Sequence, residues 1–140
     1  MRGITGFIFV LIIIAAVSCS SRKKYGDIRE FIKEVSATQE EFLSKIDKSS
    51  NADDVVLALD TFSDKLIKLS EKSMEIKKRY PEWVNEPPAE IKTDLEKLDS
   101  PVSEFEKVFI KEKIKILIKD KKVQSAVREF NNKMDMVKFF

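Results

Sequence analysis

Cys19 is the residue best suited to covalent chemistry in this chain, because it is the single cysteine among 140 residues and no histidine accompanies it. Histidine is the commonest general base near neutral pH and the commonest transition-metal ligand, so both roles lack their usual side chain. A serine-histidine-acid triad, a thiolate zinc site and a di-metal site built on Glu-x-x-His pairs are excluded in their usual forms. The sequence therefore predicts a protein that is not an enzyme and has no metal or cofactor.

The position of Cys19 indicates another role for its thiol. An apolar run from Phe7 to Val17 leads up to it, Arg2 supplies a positive charge before that run, and the small residues Ser18, Ser20 and Ser21 surround it. A basic start, an apolar middle of about 7 to 15 residues and a small-residue processing site are typical of a secretory signal peptide. A membrane-spanning helix needs about 20 apolar residues. The pattern predicts a signal peptide over residues 1–18.

The stretch Ala16-Val17-Ser18-Cys19 resembles the lipobox of bacterial lipoproteins, although that family most often has leucine where this chain has Ala16. The resemblance covers residues 1–21. It implies cleavage between Ser18 and Cys19, a diacylglycerol on the Cys19 thiol and an acyl chain on its new amino group. It also implies a lipid-anchored location in the bacterial cell envelope, at the outer membrane in a Gram-negative host, because Ser20 follows the cysteine. Plain secretion and an uncleaved anchor are the alternatives.

Residues 19–26 are predicted to be the lipidated cysteine and a tether. Two or more acyl chains give stable anchoring, and the basic residues 22–24 can lie against anionic headgroups or remain solvated. Of the 26 basic and 24 acidic side chains of the chain, only Arg2 belongs to the signal peptide, so the mature part is almost neutral. This balance gives no support to nucleic acid as a partner.

Residues 27–140 are predicted to form an all-α domain, an antiparallel helical bundle of three to four helices with four preferred. A first helix is expected from Asp27, as its N-cap, to Lys48, and a second from Asp53 to Tyr80. Each has a buried face with heptad-like spacing. The first face comprises Ile28, Ile32, Val35, Gln39, Phe42 and Ile46, and the second comprises Leu59, Phe62, Leu66, Leu69, Ser73, Ile76 and Tyr80.

The C-terminal half of the domain has a less regular pattern. Pro81 is expected to end the second helix and Pro88 to begin a third. One apolar spacing continues through Pro101, over Ile91, Leu95, Leu98, Val102, Phe105, Phe109, Glu112 and Ile116. The stretch "KIKILIK", residues 113–119, alternates like a strand but also has a helical face at Ile110, Ile114, Leu117 and Ile118, and we interpret it as helix. A last stripe over Val123, Val127, Phe130, Met134 and Val137 is either a fourth helix or an extension of the third.

Two features are candidates for partner contact. Trp83 lies among prolines and glutamates and either anchors a partner or covers the end of the bundle. Lys111, Lys115, Lys119 and Lys122 belong to a lysine-rich segment, residues 107–122, that would suit anionic lipid, envelope polysaccharide or an acidic protein, or would simply be a solvated helix face. The polar residues Gln39 and Glu112 lie on predicted buried faces, where they would fix register, line a cavity or reach solvent from an edge.

The leading hypothesis is a membrane-anchored envelope lipoprotein whose bundle is a non-catalytic interaction or structural module. One alternative is a carrier that holds a small apolar ligand or a lipid between its helices. Another is a structural lipoprotein that associates with itself through its heptad faces. The oligomeric state is left open.

Overall fold

The computed structural model describes residues 25–84, 87–96, 107–135 and 137, and for residues 83 and 84 it describes the backbone only. Regular structure within these ranges is entirely helical, which confirms the all-α prediction. The described ranges contain α1 Gly26–Lys48, α2 Ala52–Arg79, the 3-10 helix Pro81–Val84, α3 Ala89–Glu96, α4 Glu112–Ile118 and α5 Lys121–Asp135. Residues 107–109 are helical as well. The preference for four bundle helices is not confirmed.

A short connection joins α1 to α2 and provides the cap of α2. The Asn51 side chain accepts a hydrogen bond from the backbone N–H of Asp54 at 2.9 Å, and the Asp54 carboxylate accepts one from the N–H of Ser50 at 2.8 Å. Asn51 is therefore the N-cap of α2, and the Asp54 carboxylate binds the residue before the cap, in an arrangement similar to a capping box. The hydrogen bonds from Ser50 also keep the pKa of Asp54 below its usual value.

The start of α1 differs from the prediction. Its N-cap is Tyr25, which makes no side-chain capping bond, and the helix begins at Gly26. Asp27 therefore lies in the first turn, where its negative charge still interacts favourably with the helix dipole. Its carboxylate accepts hydrogen bonds from Arg79 and from the hydroxyl of Tyr80, so the residue predicted to cap α1 connects α1 to the end of α2 instead.

The predicted faces of α1 and α2 pack against each other, in two apolar clusters along the hairpin. The first, near the α1–α2 connection, contains Phe42, Ile46, Val55, Ala58, Leu59, Phe62, Ile114, Val123 and Ala126. The second, near the start of α1, contains Tyr25, Ile28, Phe31, Ile32, Leu69, Ile76 and Ile91. Different helices complete the two clusters: α4 and α5 contribute to the first, and α3 contributes to the second.

Ion pairs define the direction of α5. Lys122 pairs with Asp53 at 3.0 Å, and Lys133 pairs with Asp60 at 4.0 Å. Because both sets of residue numbers increase together, α5 runs in the same direction as α2 and opposite to α1. The open question about the last apolar stripe is also answered, since Lys119 and Asp120 separate α5 from α4.

The prolines act close to the predicted positions. Pro81 follows the C-cap residue Tyr80 and starts the 3-10 helix, as expected for a residue that cannot continue an α-helix. Pro88 lies immediately before α3, and its carbonyl accepts the N–H of Lys92 at 3.2 Å. The region around Pro101 lies outside the described residues.

The apolar spacing predicted to continue from Ile91 to Ile116 is wrong at its C-terminal end. Glu112 is exposed, and Ile116 keeps 65% of its surface exposed, whereas Ile114 is fully buried. The cause is a turn at Ile110 and Lys111, closed by a hydrogen bond from Lys111 N–H to the Val108 carbonyl, which resets the helix phase before α4. The alternative face is buried at Ile114 and half-buried at Leu117 and Ile118, although its first member, Ile110, is 64% exposed.

Candidate functional site

The lysine-rich segment lies at the end of the hairpin formed by the α1–α2 connection. Lys111 forms an ion pair with the Asp47 carboxylate, and Lys113 donates to the Asp47 carbonyl. Lys122 pairs with Asp53, as described above. These contacts place the segment against the C-terminal end of α1 and the N-terminal end of α2. The hydrogen bond from Lys111 lowers the pKa of Asp47, and the bond to Asp53 raises the pKa of Lys122.

The four lysines predicted to contact a partner therefore have different surroundings. Lys111 and Lys122 pair with acidic residues of the α1–α2 hairpin, and Lys115 pairs with Glu112 of its own helix at 3.0 Å. Lys119 is exposed and forms no ion pair within the described ranges. The structure thus brings the lysines to one end of the bundle, where their charge is partly compensated.

The other predicted site residues fall largely outside the described chain. Ser18 and Cys19 precede residue 25, so the cleavage and lipidation predictions stay predictions. Trp83 belongs to the 3-10 helix, but its side chain is not among those described. Gln39 is half-buried, and its Oε1 atom is buried without a hydrogen-bond partner among the described residues, as is the Oγ atom of Ser73.

Three ion pairs between α1 and α2 form a set that the sequence reasoning missed. The pairs are Asp27–Arg79, Glu34–Lys72 and Glu41–Lys65. The acidic members are seven residues apart on α1, and the basic members are seven residues apart on α2. A search for charged residues at heptad spacing could have found them. The residue numbers of the acidic partners increase as those of the basic partners decrease. These three pairs, the heptad ion pairs, therefore all form in only one antiparallel register of α1 and α2.

The heptad ion pairs lie at the surface, where each contributes little to stability. Their effect is on specificity, since a shift of α2 by one heptad would leave a charged member at each end without its partner. At the start of α1, Arg29 extends this polar network by binding the Asp94 carboxylate at 3.0 Å and the Glu90 carbonyl at 3.3 Å. Thus α3 is joined to α1 by the same type of contact.

We expect Glu41 to titrate far below an ordinary glutamate. The hydrogen bonds from Lys65 and Lys45 lower its pKa to about 2 from 4.5. Since the folded-state pKa is the lower one, ionised Glu41 stabilises the fold above pH 4.5, and this contribution disappears as the pH falls towards 2. Lys65→Gln should move the pKa back towards 4.5, measured by NMR titration of the Glu41 carboxyl carbon. The control Lys68→Gln removes an exposed lysine one turn away. A pKa that Lys65→Gln leaves unchanged would contradict the assignment.

Little space is left between the described side chains of α1 and α2. A cavity between α1 and α2, lined in part by Thr38, Phe42 and Phe62, holds about 10 Å³, which is room for about one water molecule. A larger groove of about 310 Å³ lies at the surface between α1 and α3, and charged side chains such as Arg29, Lys33 and Asp94 line it. The volume of this groove lies at the lower limit for pockets that bind drug-sized ligands, which are about 300–1,000 Å³ and mostly apolar.

Among the described residues, no group of three or more His, Cys, Asp or Glu side chains is arranged to hold a metal ion. None of the described helices is both long enough and apolar enough to cross a membrane. No protein-family model, curated protein or solved structure matches this chain.

Proposed function

We propose that this chain is a bacterial envelope lipoprotein, in which acylated Cys19 holds a non-catalytic helical bundle at a membrane. The observation that carries the proposal is the position of the only cysteine, directly after an apolar run of signal-peptide length and a small residue. The bundle is proposed to act as an interaction or structural module. In a Gram-negative host we place it at the outer membrane, by the resemblance at Ser20.

The structure of the described residues is compatible with this division of the chain. Tyr25 is 6% exposed, and its ring lies 5.6 Å from that of Tyr80, so the first described residue, six positions after Cys19, belongs to the packed domain. The tether predicted over residues 19–26 belongs to the same proposal, as does the four-helix arrangement preferred from the sequence. The space of about 10 Å³ between α1 and α2 is too small for the ligand of the alternative carrier hypothesis.

The experiment is intact-mass analysis of the protein extracted from membranes of a lipoprotein-processing bacterium. We expect a mass equal to residues 19–140 plus acyl chains, and Cys19→Ala should abolish both the modification and the membrane attachment. Ser21→Ala is the matched control, because it changes a small residue near the site and leaves the thiol in place. An unmodified mass for the unaltered protein would contradict the proposal and favour a secreted or signal-anchored bundle.

A further inference from the structure

Two large apolar side chains are exposed within the lysine-rich segment. Ile110 and Ile116 are 64% and 65% exposed, although most of the apolar residues around them face the core. On α4, Lys113 precedes Ile116 by three residues and Lys119 follows it by three, so all three share one side of the helix. An exposed isoleucine bordered by lysines is the arrangement by which amphipathic segments bind an anionic lipid surface.

The charge of the lysine-rich segment also suits an anionic lipid surface. It contains seven lysines and two acidic residues, and Asp47 and Asp53 of the hairpin each form an ion pair with one of these lysines. Lys119 and Lys121 are exposed and form no ion pair within the described part of the chain. The segment therefore keeps a positive charge after its internal pairs are formed, and lysines near an anionic bilayer are attracted to it.

We propose that the lysine-rich segment contacts the anionic lipid headgroups of the membrane that holds the anchor, with Ile110 and Ile116 entering the headgroup layer. This inference rests on the proposed lipid anchor, which supplies the membrane. A polysaccharide would pair with the lysines but would provide no apolar layer for the isoleucines. An anionic bilayer provides both a charged surface and an apolar boundary beneath it.

The anchor and the segment can reach one membrane together. Tyr25 follows Cys19 by six positions, and a chain of that length reaches at most about 20 Å. The lysine-rich segment lies at the opposite end of α1, whose 23 residues extend for about 35 Å. Both ends meet the same bilayer when α1 lies along its surface. With few unpaired lysines the contact is weak, and tethering compensates by raising the effective concentration of lipid.

The test places a fluorophore at Ile116 of the anchored protein. Acylation blocks Cys19, so Ile116→Cys gives a single reactive thiol for an environment-sensitive dye, and Met74→Cys, at a side chain 45% exposed, is the matched control. Both proteins are reconstituted into phosphatidylcholine vesicles with and without phosphatidylglycerol. We expect a blue shift for position 116 only, on the anionic vesicles only. High salt or Lys119→Glu with Lys121→Glu should abolish it, whereas Lys68→Glu should not.

Two other outcomes overturn the inference. Equal emission on both vesicles would do so and would favour an acidic protein as the occupant. A second test adds anionic vesicles to protein that is anchored in neutral vesicles. If the two kinds of vesicle cluster, the segment contacts a facing membrane and not the membrane that holds the anchor. The intact mass of the same sample reports the anchor separately. If it shows no acyl chains, the proposed function fails, and labelled protein at a raised vesicle concentration still tests the lipid contact.

Discussion

Replacing Phe62 by alanine should lower the free energy of unfolding by about 3–5 kcal/mol, the usual loss for a large buried aromatic side chain. Phe62 of α2 stacks on Phe42 of α1 with ring centroids 4.2 Å apart, and on Phe130 of α5 at 5.9 Å. It is thus the side chain through which α2 contacts both neighbours in the first apolar cluster. Its removal leaves a cavity that three helices must close together, and chemical denaturation followed by circular dichroism measures the loss.

Leu57 provides the control for this prediction. It is an apolar residue of the same helix, five positions away, but 66% of its surface is exposed. Leu57→Ala should change the unfolding free energy by no more than about 0.5 kcal/mol, as expected for a surface position. Similar losses for Phe62→Ala and Leu57→Ala would contradict the stacking of the three phenylalanine rings.

A second pair of substitutions tests the orientation of α4. Ile114→Asp places a carboxylate at a fully buried position of the first apolar cluster, and we expect a loss of at least about 4 kcal/mol. Ile116→Asp makes the same change two residues later on a side chain that is 65% exposed, and it should cost no more than about 0.5 kcal/mol. Equilibrium unfolding of both variants measures the difference.

Limited proteolysis provides an independent measurement on the Ile114→Asp and Ile116→Asp variants. Loss of Ile114 should release α4 and α5 from the hairpin and expose the lysines of residues 107–122 to trypsin, whereas Ile116→Asp should cleave as the unaltered protein does. If the two variants exchanged these properties, the helix face that the sequence spacing predicted, with Ile116 buried, would be the correct one.

The hairpin of α1 and α2 was predictable because its information is local and repeated. Apolar residues recur every three and four positions for 23 and 28 residues, and no second face of comparable apolarity competes with them. Asn51 and Pro81 then limit α2 through chemistry that acts within a few residues, by capping and by the missing N–H. The bounds of α2 consequently differ from the predicted ones by one residue at each end. The first long helix, α1, ends at the predicted Lys48, although its N-cap lies two residues before the predicted Asp27.

The region of α4 was less predictable, because its isoleucines support two helical faces. Ile114 and Ile116 have the same side chain, and only contact with Phe62 and its neighbours in the first apolar cluster makes one of them buried. Glu112 was misplaced for the same reason. Continuing a helical phase through a turn requires the geometry of that turn, which here depends on the carbonyl of Val108.

The sequence by itself determined the all-helical class, the buried faces of the two long helices and the prediction of a lipid anchor at Cys19, since each depends on neighbouring residues. The tertiary structure decided which lysines are paired and which face of α4 is exposed. Asp47 lies 64 residues from Lys111, and Asp53 lies 69 residues from Lys122. Only folding brings such distant charges together, so no local pattern could have distinguished the paired lysines from Lys119.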